Sequence, residues 1–344
     1  MSAAPATPPV KVAVTGPTGD VGRAFVRALE RSRDVASVKA LGRREIDPVS
    51  EGWRKTRYLR GSVLDRDAVA ELVDGADVVV HLAFAIMGAP GEDGREVNLT
   101  GSRNVFGAAV RAGARRLVYT SSVAAYGFHD DNPPLLTEDL RPRGTDAHAY
   151  SKAKAEVEQL LSELTIGTHT DVYLLRPCIV AGPDALMFIG SIPYVQLGDK
   201  MPSAVWRLLD AVPVLKPVIP DNGISFQLVH HDDVASALRA ATLGRGRPGI
   251  YNLAAPGTLT MRDLAEDLGW YAIPVPELAV DVAAEVATRL PFIPEDAQWL
   301  NALRVPMLMD TAKAERELRW RPRYGVRETL RATIAEARLS QMLR

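Results

Sequence analysis

The chain has 344 residues, with 41 Lys and Arg against 42 Asp and Glu, and its formal charge of −1 gives no large field to attract nucleic acid or an anionic membrane. Hydrophobic residues make up 47% and charged residues 24%; a chain of this length can bury about three quarters of its unfolded surface, which excludes an intrinsically disordered protein. The single cysteine, Cys178, excludes an internal disulfide, and no uncharged apolar run reaches the roughly 18 residues of a bilayer span, so a soluble, cytoplasmic protein is expected.

Met1 to Val10 is rich in Ala and Pro, without the basic start and apolar stretch of a signal peptide, and reads as a loose tail. From Lys11 onward short β-branched runs alternate with amphipathic stretches, the pattern of βαβ units around a parallel sheet. Val12 to Thr15 is the first predicted strand, followed by a helix from Gly19 to about Arg31 that buries Val21, Phe25, Ala28 and Leu29. Strands are predicted at Val35 to Leu41, around Tyr58 to Leu59, and at Val78 to Ala83, the last nearly all apolar, as a strand covered on both faces must be. A helix over Val97 to Ala112, a strand over Arg116 to Ser121, a helix over Tyr150 to Leu164 and a strand over Asp171 to Arg176 continue the doubly wound order.

After Pro183 the rhythm breaks, and Ser191 to Gly223 is rich in proline and large apolar residues without a period. The strand-like Phe226 to Val229, a helix over Asp232 to Leu243 and a strand over Ile250 to Leu253 are expected to return to the first layer before the chain leaves again at Pro256. The expected fold is α/β. A Rossmann-type doubly wound parallel sheet spans 1–183 and 224–255, and a smaller, interleaved C-terminal substrate-binding region spans 184–223 and 256–344.

Gly16, Gly19 and Gly22 form G-x-x-G-x-x-G between the first strand and the first helix. Glycines there let the chain turn tightly and let a pyrophosphate approach the free N–H groups of the helix terminus. Gly88, Gly91 and Gly94 repeat the spacing, but Glu92 and Asp93 would repel a pyrophosphate, so the first loop is the expected site. The second strand ends Ala40-Leu41-Gly42-Arg43-Arg44, with no acid to hold a ribose; the arginines suit a 2′-phosphate, so NADP(H) is expected over NAD(H), which stays possible.

Tyr150 and Lys154 stand at i and i+4 near the start of a helix and so share one face. A phenol is a poor acid or base at neutral pH, and a neighbouring ammonium is expected to lower its pKa. The preceding strand ends Thr120-Ser121-Ser122 at the sheet edge where open α/β folds bind ligands. A serine there can donate to a substrate oxygen while Tyr150 moves the proton, a constellation suited to carbonyl and alcohol redox chemistry; the residues alone also allow both serines simply to end the strand.

Together the Thr15 to Gly22 loop, His81-Leu82-Ala83, Asn98 with Gly101 and Asn104, Ser122 to Tyr126-Gly127, the Tyr150/Lys154 pair, Arg176 to Gly182-Pro183, and Val229-His230 with Asp232-Asp233 resemble the extended short-chain dehydrogenase/reductases, the NAD(P)-dependent epimerase/dehydratase family. The resemblance covers nearly the whole chain. It implies Ser122 as the active hydroxyl, Tyr150 as acid/base, and Lys154 as its partner and holder of the nicotinamide ribose. It implies a cofactor lined by Gly16, Thr18, Gly19, Asp20, Val21, Gly22, Arg43, Arg44, Ser62, Val63, Leu82, Ala83, Asn98, Thr120, Pro177 and Cys178, with Ser62 where the family often has an acid near the adenine. It also implies a homodimer joined through the helices at 95–112 and 150–164.

Three departures narrow the chemistry. Val123 and Ala124 replace the Asp-Glu of the sugar-nucleotide dehydratases, while Ile179 and Phe226 replace the asparagine and arginine that serve a substrate diphosphate in epimerases. A small, weakly anionic ketone or secondary alcohol is the expected substrate, with a sugar-nucleotide 4-epimerase and a non-catalytic cofactor sensor as alternatives. His230 and His231 are read as pointing to opposite faces of a strand, so no metal is expected. Trp206, Leu208, Leu209, Val214, Trp299 and Leu300 are candidates for an apolar pocket wall, or for ordinary packing.

Overall fold

A computed structural model describes residues 8–86, 94–192, 194–195, 216–275 and 305–343. Its centre is a seven-stranded, wholly parallel sheet. In chain order the elements around it are β1 (Val10–Thr15), α1 (Asp20–Glu30), β2 (Val35–Gly42), β3 (Thr56–Arg60), α2 (Arg66–Val73), β4 (Val78–His81), α3 (Gly94–Arg111), β5 (Arg116–Thr120), α4 (Ala149–Thr165) and β6 (Asp171–Pro177). Then follow β7 (Ile179–Ala181), α5 (Met187–Gly190), β8 (Val218–Asp221), β9 (Leu228–His230), α6 (His231–Thr242), β10 (Gly249–Leu253), α7 (Met261–Leu268), β11 (Tyr271–Pro274), α8 (Ala312–Glu317) and α9 (Val326–Leu339). The strand order β3-β2-β1-β4-β5-β6-β10 reverses between β1 and β4, the switch point at which open sheets of this kind open a ligand crevice.

Alternation along β1 explains the two covered faces. Val12 and Val14 enter an apolar layer with Phe25 and Leu29 of α1 and Val234 and Leu238 of α6. Ala13 points the other way, into a layer with Leu72, Phe106, Leu117 and Val157 of α2, α3, β5 and α4. In α1 the buried set is Ala24, Phe25, Val26 and Leu29; Ala28, expected inside, lines a surface groove instead. β1 begins two residues earlier than the sequence pattern places it, because the N–H of Val10 donates to the Asp34 carbonyl at 2.9 Å. The strand predicted to reach Ala83 ends at His81. α2 is not among the expected helices; its signal in the sequence is Asp65, whose carboxylate caps the helix by accepting from the N–H groups of Asp67 and Ala68 at 2.9 and 3.2 Å.

One expected return to the first layer is corrected. Residues 228–230 form β9, which pairs with β7 in a separate two-stranded sheet, and only α6 and β10 rejoin the main sheet and its covering layer. Three residues of parallel pairing bend the chain away here, because Phe226 and Leu228 belong to a third apolar cluster with Ala181, Ile189, Leu264 and Leu330. β8 and β11 form a further two-stranded sheet beside α7, a helix started by a Thr260–Asp263 capping box and stopped by Gly269 at φ +77°.

The turn from β1 into α1 depends on two glycines for different reasons. Gly16 sits at φ +71°, and a Cβ there would lie 2.7 Å from the Ala83 nitrogen. A Cβ on Gly22 would lie 2.1 Å from the Gly16 carbonyl oxygen, whereas one on Gly19 would meet only that oxygen, at an ordinary 3.7 Å. Gly22→Ala is therefore expected to lower stability by about 1–3 kcal/mol, the usual range for overpacking. Gly19→Ala should leave it nearly unchanged, and urea unfolding of the two variants checks the contrast.

Candidate active site

The glycine loop delivers α1 with its N-terminus uncapped by any side chain, so the first-turn N–H groups of Asp20, Val21 and Gly22 face the crevice with the positive end of the helix dipole. Thr18 and Asp20 are half-buried beside it; burial raises the Asp20 pKa, opposed by the charges of His231 and Arg44. Arg43 and Arg44 stand exposed at the end of β2, with the Tyr58 hydroxyl donating to the Arg44 carbonyl at 2.5 Å. At the end of β3, Ser62 Oγ accepts from the Leu64 N–H at 3.2 Å, and the Asn104 amide holds the Val63 and Leu64 carbonyls. Val63 packs so closely on Gly101 that a Cβ there would sit 2.4 Å from it.

The end of β4 is held by a buried polar chain. Thr15 Oγ1 accepts from the Leu82 and Ala83 N–H groups at 3.2 Å each and lies 2.7 Å from His81 Nδ1, while His81 Nε2 lies 3.0 Å from Ser102 Oγ. Burial, helped by the charge of Lys154, pushes the His81 pKa down to about 3, so this ring is neutral at physiological pH. Asn98 clamps Ala85 through both halves of its amide, at 2.7 and 2.9 Å. That engagement makes Asn98 a support of the loop that carries Leu82 and Ala83.

Ser122 follows β5 and caps the single 3₁₀ turn Val123–Tyr126, accepting from the Ala124 N–H at 3.2 Å. α4 is tied to that turn: Ser151 Oγ donates to the Ala124 carbonyl at 2.6 Å, and His148 Nδ1 caps the helix by accepting from the Ser151 N–H at 3.2 Å. Tyr150 is thereby carried to the same edge as Ser122, near enough for the serine to act on its phenol. Lys154, buried one turn on, donates to the Thr120 carbonyl at 3.0 Å and approaches the Tyr119 hydroxyl at 3.4 Å. Its ammonium lies 3.7 Å above the centre of the Phe84 ring and 5.7 Å from that of Tyr150.

The expected lowering of the phenol is corrected by this geometry. Desolvation raises the Tyr150 pKa, with only the hydrogen bond from Ser122 opposing it, and desolvation lowers Lys154 to about 7 against the raising effect of Glu158. An ammonium that is itself costly to keep charged has little to lend its neighbour. The phenol is therefore protonated at neutral pH.

A second set of residues behind the site carries no obvious motif. Glu158, one turn beyond Lys154, binds Arg176 of β6 through both carboxylate oxygens, Nε to Oε1 at 3.0 Å and Nη2 to Oε2 at 2.5 Å, and accepts from Ser121 Oγ at 2.5 Å. The guanidinium lies 4.4 Å over the Tyr126 ring, whose hydroxyl donates to Asn252 at 2.8 Å. Both charges are almost fully buried, and although burial opposes it, the hydrogen bonds and charge of Glu158 raise the Arg176 pKa. Adjacent positions of an extended chain face opposite ways, so Ser121 joins this ion pair while Ser122 meets Tyr150. The i, i+4 step from Lys154 to Glu158 was the signal the sequence offered.

Pro177 and Cys178 lie buried at the end of β6, where the Cys178 N–H donates to the Leu253 carbonyl at 2.9 Å and burial pushes the thiol pKa up. His230 and His231 do not point apart: β9 ends at His230 and α6 starts at His231, so the rings stack at 4.3 Å, and their nitrogens lie with a carboxylate oxygen of Asp232 within 4.8 Å of one another. His230 Nδ1 accepts from the Asp232 N–H at 3.1 Å, and its other face stacks on Tyr324 at 3.9 Å. Gly88, Gly91, Trp206, Leu208, Leu209, Val214, Trp299 and Leu300 lie outside the described residues.

The wholly parallel, doubly wound sheet with its glycine turn defines a Rossmann-type fold. The chain belongs to the NAD dependent epimerase/dehydratase family, whose model matches residues 12–254. It is 30% identical over 319 residues to the uncharacterised protein y4nG of Sinorhizobium fredii, spanning 91% of this chain and 74% of that one. It is 29% identical over 191 residues to the 3 beta-hydroxysteroid dehydrogenase/Delta 5→4-isomerase of vaccinia virus, covering 51% of this chain and 54% of the viral one, about half of each. The dTDP-glucose 4,6-dehydratase DesIV of Streptomyces venezuelae, solved with NAD bound, superposes with a TM-score of 0.69 at 22% identity, over 96% of this chain and 98% of that one.

Glu158→Gln removes the charge that Arg176 faces in a buried site. The variant is expected to lose about 3–5 kcal/mol of stability, the cost of stranding a buried charge, as measured by urea unfolding.

Proposed function

We propose that the protein is an NAD(P)-dependent oxidoreductase that interconverts a ketone and a secondary alcohol, with NADP(H) as its preferred cofactor. The observation that carries this reading is the approach of Ser122 to Tyr150, one helical turn from a buried Lys154, at the same sheet edge as the open glycine loop. The residues present suit a dinucleotide. Gly19 leaves room where a side chain would stand, the α1 terminus has unpaired N–H groups, and Thr120 Oγ1 is buried with no hydrogen-bond partner among the described residues.

The cofactor supplies the hydride when bound. Gly16 to Gly22 and the first turn of α1 would hold its pyrophosphate, Arg43 and Arg44 a 2′-phosphate, and Ser62, Val63, Leu82, Ala83, Pro177 and Cys178 would flank it. Ser122 would orient the carbonyl oxygen as a donor, and Tyr150 would give that oxygen its proton as negative charge builds there. A phenol raised by burial suits this task, because it still carries its proton at neutral pH. Lys154, at about 7, is poised to gain or lose charge with its surroundings and would stabilise the phenolate left behind.

The substrate class follows from what the site lacks. Val123 and Ala124 are buried and offer no acid or base for dehydration, and Phe226 lies in an apolar cluster with Ile179 packed against it, so neither of these two positions offers a diphosphate a donor. The partial similarity to a viral hydroxysteroid dehydrogenase also favours an uncharged secondary alcohol over a sugar nucleotide.

Tyr150→Phe removes the transferable proton and is expected to lower turnover by about 10² to 10⁴ while sparing cofactor affinity, as read by steady-state kinetics and cofactor titration. Unchanged turnover overturns the role given to Tyr150. Calorimetric titration should show NADP binding more tightly than NAD, with the difference lost in an Arg43→Ala, Arg44→Ala double variant. NAD(H) that copurifies, together with affinity for a nucleoside diphosphate, would point to a 4-epimerase instead.

A further inference from the structure

On the outer side of α1 and α6, away from the glycine loop, lies a groove of about 730 Å³ walled by α1 from Ala24 to Ser32, by α6 from Asp232 to Ala240 and by residues 318–324. Seven arginines and one acid, Asp232, line it, in a chain whose overall charge is −1. Arg27 is paired with Asp184, and Arg323 faces the buried Asp233 at 3.8 Å. Arg31, Arg239, Arg245, Arg319 and Arg321 have no carboxylate partner among the described residues. Helix dipoles account for Arg27, Arg31, Arg239 and Arg319 near the ends of α1, α6 and α8, but not for Arg245 and Arg321.

The frame that carries these charges is rigid. The Trp320 indole N–H donates to the Asp233 carbonyl at 2.9 Å, and the Asp233 carboxylate accepts from the Arg323 and Tyr324 N–H groups at 2.9 and 3.1 Å, fastening residues 320–324 to α6. Arg319, just before this clamp, holds a left-handed backbone at φ +51° that glycine or asparagine would adopt with less strain. Ser32, only 6% exposed, lines the groove with an Oγ that has no hydrogen-bond partner among the described residues.

We infer that this groove binds a small, soluble polyanion bearing several phosphates. Guanidinium groups gathered around one groove repel, and a multivalent anion between them relieves that repulsion while forming charge-assisted hydrogen bonds. The concave shape and its volume match a ligand of nucleotide size, since sites for such ligands run from about 300 to 1,000 Å³. A flat bilayer would reach only the rim.

The test is calorimetric titration of the full chain with inorganic tripolyphosphate at low salt, with NADH present at saturation to occupy the glycine loop. The expected result is saturable one-to-one binding that weakens at least tenfold in an Arg245→Ala, Arg321→Ala double variant, with affinity for NADH unchanged. Arg319→Asn, which suits the same backbone conformation, should weaken binding in the same direction without loss of folding. Absence of binding, binding abolished by NADH, or binding equal in the variants overturns the inference. So does sedimentation with phosphatidylserine vesicles that tripolyphosphate fails to reverse, which would assign the face to a membrane.

Discussion

The buried pair of Glu158 and Arg176 is the constraint around which the candidate active edge is arranged. Two charges removed from water are tolerated only because each finds almost all of its partners in the other, with Ser121 and the Tyr126 ring completing the shell. This shell joins α4, β6, the end of β5 and the turn that follows it. Those are the elements that carry Lys154, Ser122 and the loop beyond, so the spacing between the active groups is inherited from an ion pair that touches none of the chemistry.

Electrostatics in the crevice follows from the same scarcity of water. Burial raises Tyr150, lowers Lys154 to about 7 and keeps His81 uncharged near 3. Each group is thus pushed toward its neutral form; Glu158 leans against this by favouring a charged Lys154, and Ser122 by lowering Tyr150. Where such groups are held away from bulk water, charge that develops on a reacting oxygen is felt strongly by donors aimed at it.

Two very different uses of positive charge sit on opposite ends of one helix. At its start, α1 offers backbone N–H groups and a dipole, with glycines clearing the approach. At its far end, arginine side chains on α1, α6 and the segment before α9 gather around a groove, although the chain as a whole is nearly neutral. Net charge is a sum, and it conceals such local concentration.

The sheet, most of the flanking helices and the glycine turn were legible in the amino-acid sequence, because periodicity of apolar residues and glycine at a tight turn are local signals. Ser122, Tyr150 and Lys154 could be named there as candidates, because they fall within short local motifs. The departure of residues 228–230 from the main sheet was not legible, since three apolar residues in a strand say nothing about which strand they join. The direction of the Tyr150 shift was also hidden, because desolvation depends on what covers the ring from distant parts of the chain. The sequence by itself determined which local conformations were available and which side chains could do chemistry. Only the tertiary structure decided that Ser121 serves an ion pair and Ser122 a phenol, that two adjacent histidines stack, and that arginines from three separate segments face one groove, because these are contacts between residues far apart along the chain.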